Sequence, residues 1–247
     1  MNTNLRRILM VLAVALMAGC AATADPSRDG SDPLESYNRA MFAFNEAADK
    51  AVFKPVAQAY QTVLPDPVIG GIGNFFSNLN DVVVLANDLL QLKFHQAVMD
   101  SGRIVCNTTF GVLGLFDVAS RVELPKHYED FGQTLGFWGV GEGYYVVLPF
   151  LGPSTVRDTV GRVGDAFADP LVWGTDSDAV QWSLWGLNFV DQRAALLRVE
   201  RAFAGAQIDP YSFRRSAYLQ QRRNLVYDGN PPKPDFEFDA GSAKPAP

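Results

Sequence analysis

Four Asp-Pro dipeptides punctuate this chain, at Asp32-Pro33, Asp66-Pro67, Asp169-Pro170 and Asp209-Pro210. Aspartate is a good helix N-cap, because its carboxylate accepts one of the N–H groups that the first turn leaves unpaired. Proline suits the first helical position, where its missing N–H costs nothing. It also pushes the preceding residue out of the helical region, as a cap requires. Each dipeptide therefore reads as a helix start, and a chain restarted this often folds into helices meeting at corners. The first site adds Glu35 three residues after Asp32, a variant of the capping box.

Apolar residues then recur at helical steps. After Asp32 they are Tyr37, Met41, Phe44, Ala48 and Val52; after Asp66 they are Ile69, Ile72, Phe76 and Leu79. Ser154 reads as a further cap, followed by Val156, Val160, Val163 and Phe167. A longer helix is expected from about Asp178 to Phe203, carrying Trp182, Trp185 and Phe189, and a last one from Pro210 to about Tyr227. Strand signals are scarce. "YYVVLPF" is the best of them, and its proline demotes it to an edge or an extended loop. The predicted class is mainly α, with few or no strands.

Glycine is placed unusually. "VIGGIGNFF" (Val68–Phe76) and "FGVLGLFDVA" (Phe110–Ala119) are apolar and repeatedly broken by it. Glycine costs roughly 1 kcal/mol relative to alanine inside a helix. On patterning alone two readings stand. Short, kinked apolar helices would lie in one leaflet of a bilayer, or a dense core would use glycine for close helix contact.

The N-terminus carries an address. Arg6 and Arg7 precede an apolar run, "ILMVLAVALMA", which as a helix would span about 17 Å, too short for a bilayer. It reads as a signal peptide. "LMAGC" then resembles a bacterial lipobox, although Met17 stands where leucine is usual. The expected division is a leader over 1–19, a tether from a lipidated Cys20 over 20–31, a helical domain over 32–228 and an acidic, Pro-rich tail over 229–247. Ala21 follows the cysteine where inner-membrane retention usually has Asp, so the resemblance sends the protein to the outer membrane. Cys106 is the one other cysteine, so no disulfide framework or cysteine metal site is expected.

Charge narrows the partners. Without Arg6 and Arg7, 19 of the 21 basic residues remain against 27 acidic ones. An acidic chain with no broad basic stripe is a poor nucleic-acid binder. It gains no general attraction to anionic lipid either, so membrane contact must come from acyl chains and apolar surface.

Catalysis finds little support. His95 and His127 are the only histidines and neither belongs to H-E-x-x-H. His127 lies beside Glu129 and Asp130 as a possible acid–base couple, but a hydrogen-bonded loop histidine is the better reading. "GPSTV" lacks the closing glycine of a nucleophile elbow. "GVGEG" (Gly139–Gly143) is not a dinucleotide fingerprint, since the β-branched run after it is a poor helix start and Glu142 would face the phosphates. It reads as a bend bringing Phe137 and Trp138 near Tyr144 and Tyr145, apolar rings with polar tips. No cofactor or metal is expected.

Several segments resemble the MlaA (VacJ) family of outer-membrane lipoproteins: "SDPLESYNRAMFAFN", "NFFSNLND", "EDFGQTLGFWGVGEGYYVVLPFLGPSTVRDTVG" and "DPYSFRRSAYLQQRR". The likeness runs from about Ser31 to Arg223. It implies a single ring-shaped domain of short, broken amphipathic helices around an amphipathic channel, lying in the periplasmic leaflet. It implies removal of phospholipid from the outer leaflet, delivery to a soluble periplasmic carrier and association with a trimeric porin. By that resemblance Phe137, Trp138, Gly139, Gly141, Gly143, Tyr144 and Tyr145 are candidates for the lipid path. Phe42, Phe44 and Asn45 would brace the ring. Ile69, Ile72, Phe75, Phe76, Phe110, Leu113, Leu115 and Phe116 would form a membrane girdle. In the last helix Arg214, Tyr218 and Arg222 lie on one row, with Arg215 and Arg223 on the next. Arg214, Arg215, Arg222 and Arg223 are candidates to meet headgroups or an acidic partner, against the plainer reading of a solvated face.

Overall fold

The computed structural model describes residues 32–203 and 209–232. Cys20, its tether and nearly all of the tail lie outside the described residues. The described chain is mainly helical. Helix α1 (Glu35–Ala48) runs through one π-helical turn (Asp49–Phe53) into α2 (Lys54–Val63). Helices α3 (Asp66–Leu90) and α4 (Phe94–Thr109) follow, then a 3₁₀ turn (Ala119–Val122) and α5 (Phe131–Phe137). A hairpin of β1 (Tyr145–Leu148) and β2 (Gly152–Thr155) leads into α6 (Val156–Ala168), α7 (Pro170–Trp173), α8 (Asp178–Phe203) and α9 (Pro210–Val226).

Two Asp-Pro sites act as read. Asp169 accepts from Leu171 N at 2.9 Å and Asp209 from Tyr211 N at 3.1 Å, each capping its own helix. The other two differ. Asp66 is already inside α3, and Pro65 precedes it as the capping residue. Asp32 accepts from Leu34 N at 3.2 Å, and it also takes the amide of Asn38 and the hydroxyl of Tyr211. It ties the first helix to the last instead of forming a capping box. Thr155, not Ser154, caps α6 by accepting from Asp158 N at 3.1 Å.

Contacts between elements run in a closed circuit. Helix α2 packs on α8, and α8 on α3; α3 meets α5 and α6; α9 meets α5 and β2; and β1 returns to α1, which continues into α2. Each element is covered by neighbours along the circuit rather than by a central layer. Helix α4 lies against α3, and the loop after it is tied back to α3.

The expectation of few strands holds: the described residues carry one two-stranded hairpin. Tyr145 to Leu148 pairs antiparallel with Thr155 to Gly152. Pro149 sits in the turn after the strand, where it removes no ladder hydrogen bond. Two asparagines close the exposed edge of β1. Asn38 donates to Tyr145 O at 3.0 Å and accepts from Val147 N at 2.8 Å. Asn45 donates to Leu148 O at 2.9 Å and accepts from Phe150 N at 2.8 Å. Seven residues apart, they share one face of α1. Their amides stand in for a third strand, satisfying backbone groups that an edge leaves open.

Burial is inverted. The side chains withdrawn from solvent in α3 and α4 include Asn78, Asp81, Asn87, Asp88, Asp100, Arg103 and Asn107. The valines and phenylalanine read as the apolar face of α6 are mostly outside: Val156, Val160 and Phe167 are exposed, while Arg157, Asp158 and Gly161 are buried. Large apolar side chains on the outer surface outnumber those in the interior among the described residues. Soluble proteins expose apolar atoms, but polar interiors beneath contiguous apolar faces mark a surface meant for another phase.

Candidate functional site

The apolar exterior is most concentrated after α4. Phe110 is 74 % exposed, Leu113 65 % and Phe116 60 %. The backbone there is wound tightly, with Gly114 N donating to Asn107 O at 2.8 Å and Phe116 N to Gly111 O at 2.9 Å. Gly114 lies at φ +89°, and a Cβ on it would sit 2.5 Å from Asn78 Cβ. Val112 and Leu113 are also left-handed, at φ 53° and 58°. A β-branched residue in that region is held there by its surroundings. Asn74 donates to Leu115 O at 3.2 Å, fastening the loop to α3. The loop thus presents Phe110, Leu113, Leu115 and Phe116 outward from a backbone that those side chains do not hold.

The rest of the expected girdle divides. Ile69, Ile72 and Phe75 are half-buried, and Phe76 is buried at 6 % exposure. Glycine-broken Val68–Phe76 is not a short kinked helix but the first part of the continuous α3. That helix alone among the described ones has the length and composition to cross a membrane. Its second half buries Asn78, Asp81, Asn87 and Asp88, which holds that half inside the protein.

Beneath this face lies a polar interior. Arg103 approaches Asp81 at 3.5 Å and Asp117 at 3.4 Å, and Lys126 pairs with Asp81. His127 Nδ1 lies 2.9 Å from Asp100, not on Glu129 or Asp130. Burial, together with the neighbouring Asp100, raises the Asp88 carboxyl above the usual carboxylate range. His95 is exposed on α4, and Cys106 is a half-buried free thiol.

An open cavity of about 380 Å³ lies among α3, the Lys126–Tyr128 segment, α7 and α8. Phe76, Leu79, Val83 and Leu171 give it an apolar side, and Asn80, Asp169, Asn188, Asp191 and Gln192 a polar one. A wall with one apolar and one polar side suits an amphiphile. Phe76, expected at the membrane, lines this cavity, whereas none of the Phe137–Tyr145 candidates does.

The glycine–aromatic block is a loop leading into the hairpin. Gly139 and Gly143 are left-handed, at φ +87° and +68°. The expected approach of two aromatic pairs needs correction. Phe137 and Trp138 pack on each other at 5.5 Å, and Trp138 Nε1 donates to Leu90 O at 3.0 Å. Tyr144 is exposed, but Tyr145 is buried at 5 % exposure against Val147, Tyr211 and Tyr218. Pleating turns neighbouring strand residues to opposite faces, so the two tyrosines cannot line one surface. Tyr145 belongs to the packing behind any path.

Glycine matters unequally here. A Cβ on Gly141 would meet nothing within 4 Å, whereas on Gly143 it would sit 3.0 Å from Val156 Cβ in a left-handed backbone. Gly143→Val should lower stability by about 1–3 kcal/mol, and Gly141→Val should stay within about 0.5 kcal/mol of the parent. Thermal unfolding of the three proteins in one detergent checks this.

The residues expected to brace the ring lie at or beside the hairpin. Phe42 packs edge-on to Tyr211 at 5.9 Å, and Phe44 to Phe150 at 5.3 Å. Asn45 holds the turn, while sequence reasoning missed Asn38, whose signal was its heptad spacing from Asn45.

The arginines of α9 separate by face. Arg214 pairs with Glu46 at 2.8 Å on the surface, and Arg223 donates to Pro232 O at 2.8 Å. Arg215 lies 3.5 Å from Asp32. Arg222 is buried, and its guanidinium grips Asp130 on α5 and Asp158 on α6. The inward row is Tyr211, Arg215, Tyr218 and Arg222, at steps of four, three and four. Arg222 is therefore unavailable to a headgroup or an acidic partner. Burial alone would raise both carboxyls, and the Arg222 charge and hydrogen bonds hold them below their usual range instead.

Comparison with known proteins follows these features. The family model "MlaA lipoprotein" matches residues 30–225. The intermembrane phospholipid transport system lipoprotein MlaA of Escherichia coli K12 is 37 % identical over 236 residues, covering 94 % of this chain and 92 % of the relative. That of Haemophilus influenzae is 33 % identical, covering 93 % of each. An uncharacterised protein of Rickettsia prowazekii is 35 % identical over 79 % of this chain and 78 % of its own length. A solved structure described as the structural basis for maintenance of bacterial outer membrane lipid asymmetry superposes with a TM-score of 0.71. It is 34 % identical and covers 79 % of this chain and 99 % of the other. The chain belongs to the MlaA lipoprotein family.

Proposed function

We propose that this lipoprotein withdraws misplaced phospholipid from the outer leaflet of the outer membrane, so maintaining its asymmetry. The lipid passes through the helical ring to a soluble periplasmic carrier, beside a trimeric porin. Cys20 carries the lipid anchor on the periplasmic side. Phe110, Leu113, Leu115 and Phe116 seat the ring in the inner half of the bilayer, with Ile69, Ile72 and Phe75 behind them. Phe137, Trp138, Tyr144 and the Gly139–Gly143 loop stand at the rim of the path. No covalent bond is made or broken, and no cofactor is used. Flow is downhill whenever the carrier's pocket holds lipid better than the ring does.

One observation carries this reading: polar and charged side chains are buried while contiguous large apolar ones face outward. That distribution fits a body wetted by acyl chains outside and by headgroups within. The names borne by the E. coli and H. influenzae relatives support it independently.

The test is chemical. Protein purified from a membrane and stripped of free detergent should release phospholipid into an organic extract. An extract without lipid, from protein that still captures a porin, would instead establish a scaffold that organises envelope proteins.

A further inference from the structure

We propose that the cavity between α3, α7 and α8 receives the ammonium end of a zwitterionic phospholipid headgroup, and so favours ethanolamine lipids over anionic ones. This rests on the transport reading above and adds the headgroup it selects.

The argument is one of unmatched charge. Asp169 and Asp191 both line the cavity. Asp169 accepts one hydrogen bond, from Leu171 N at 2.9 Å, and Asp191 one, from the Tyr60 hydroxyl at 2.9 Å. Both donors are neutral. Neither carboxylate has an ion-pair partner among the described residues, whereas Asp81 holds Lys126 and Asp158 holds Arg222. Lys126 is the cation on the cavity wall, and its three N–H donors are already spent on Ser77 O, Asn80 Oδ1 and Asp81 Oδ1. A phosphate finds no open cation here, and an ammonium finds two open carboxylates. Each carboxylate retains unfilled acceptor positions for it.

Burial pushes both carboxyls above their ordinary range, and no neighbouring cation pulls either one back. A bound ammonium supplies that missing charge. The apolar side of the same cavity, Phe76 and Leu171 among it, meets the first carbons beyond the glycerol. An anionic headgroup in the same cavity would face two carboxylates on its wall, a like-charge juxtaposition that discriminates against it.

The experiment uses the full-length lipoprotein incubated with vesicles of equal parts phosphatidylethanolamine and phosphatidylglycerol, re-isolated, and its bound headgroups counted by mass spectrometry. The parent should carry the ethanolamine lipid in about tenfold excess, the ratio that one charge-assisted contact supplies. In Asp169→Asn/Asp191→Asn the ratio should fall to that of the vesicle at unchanged total lipid. Asparagine keeps the Leu171 cap and the acceptor for Tyr60, so the fold is preserved. A parent protein that carries both lipids at the vesicle's own ratio overturns the inference without any variant, as does a double variant that keeps the excess. A parent that carries no phospholipid at all overturns the transport reading as well.

Discussion

Replacing Arg222 by methionine should cost about 3–5 kcal/mol of stability, which for a body of this size lowers the unfolding midpoint by roughly 10 °C. Arg222 is 8 % exposed. Its Nη2 lies 2.9 Å from Asp130 Oδ1 and 3.0 Å from Asp158 Oδ1, and its Nε lies 2.9 Å from Asp158 Oδ2. Asp130 also caps α5 by accepting from Gln133 N at 2.9 Å, and Asp158 accepts from the Tyr218 hydroxyl at 2.8 Å. One guanidinium thus joins α9 to the first turns of α5 and α6, where the circuit of helices closes. The joint is filled: a Cβ on Gly132 would sit 2.7 Å from Asp158 Oδ1 and 2.8 Å from Arg222 Nη2. Methionine matches the bulk but strands the half-buried Asp130 carboxylate and leaves the buried Asp158 with Arg157, 3.1 Å away, as its one cation.

Controls separate charge from packing. Arg222→Lys should rescue little, because a single ammonium cannot offer the planar fork that meets two carboxylates. Adding Asp130→Asn and Asp158→Asn to Arg222→Met should restore much of the loss, since removing all charges is cheaper than stranding some. Both carboxyls have folded pKa values below their unfolded ones. Their contribution is therefore complete above an unfolded pKa of about 4 and disappears as pH falls through the folded values. The parent should lose this stability on acidification, and the triple variant should not. An Arg222→Met protein that melts within 2 °C of the parent at neutral pH would remove the clamp from this account.

How much of this was legible in the sequence depends on what sets each feature. Helix starts are local, and Asp169 and Asp209 cap their helices as their Asp-Pro pairs indicate. The long α8 spans the expected Asp178–Phe203. The first hairpin strand was legible as an edge run, but its closing was not, because Asn38 and Asn45, about a hundred residues upstream, satisfy that edge. Arg222 was legible as part of a basic face but not as a buried one. Its partners lie 92 and 64 residues away, and only the alternation Tyr211, Arg215, Tyr218, Arg222 hinted at an inward row. The largest misreading was of polarity. Val156, Val160 and Phe167 have a helical period, but period alone does not say which side is wet. In water the apolar stripe faces a core; here it faces out.

That reversal makes a second large effect predictable. In a Cys20→Ala protein, made to remove the proposed acyl anchor, Phe110→Ser with Phe116→Ser should weaken co-sedimentation with phospholipid vesicles by roughly a thousandfold. Moving a phenylalanine side chain from water into hydrocarbon yields about 1.5–3 kcal/mol, and two of them together reach that factor. Leu113 and Leu115 keep a weaker apolar contact, and electrostatics adds none, because the acidic chain gains no general attraction to anionic headgroups. Folding should be untouched. The loop's path is fixed by the Gly114 N to Asn107 O and Phe116 N to Gly111 O bonds and by the close seat of Gly114 on Asn78, and both phenylalanines already face outward. The unfolding midpoint in detergent should therefore match that of Cys20→Ala within the effect of an ordinary surface substitution, about 0.5 kcal/mol. A core phenylalanine behaves oppositely: Phe76→Ser would unfold the protein before it altered vesicle binding, because that side chain is buried. If the double serine variant sediments as completely as its Cys20→Ala parent, the exposed loop is not the face that meets lipid. The inverted interior would then have to be explained by a protein partner covering that loop.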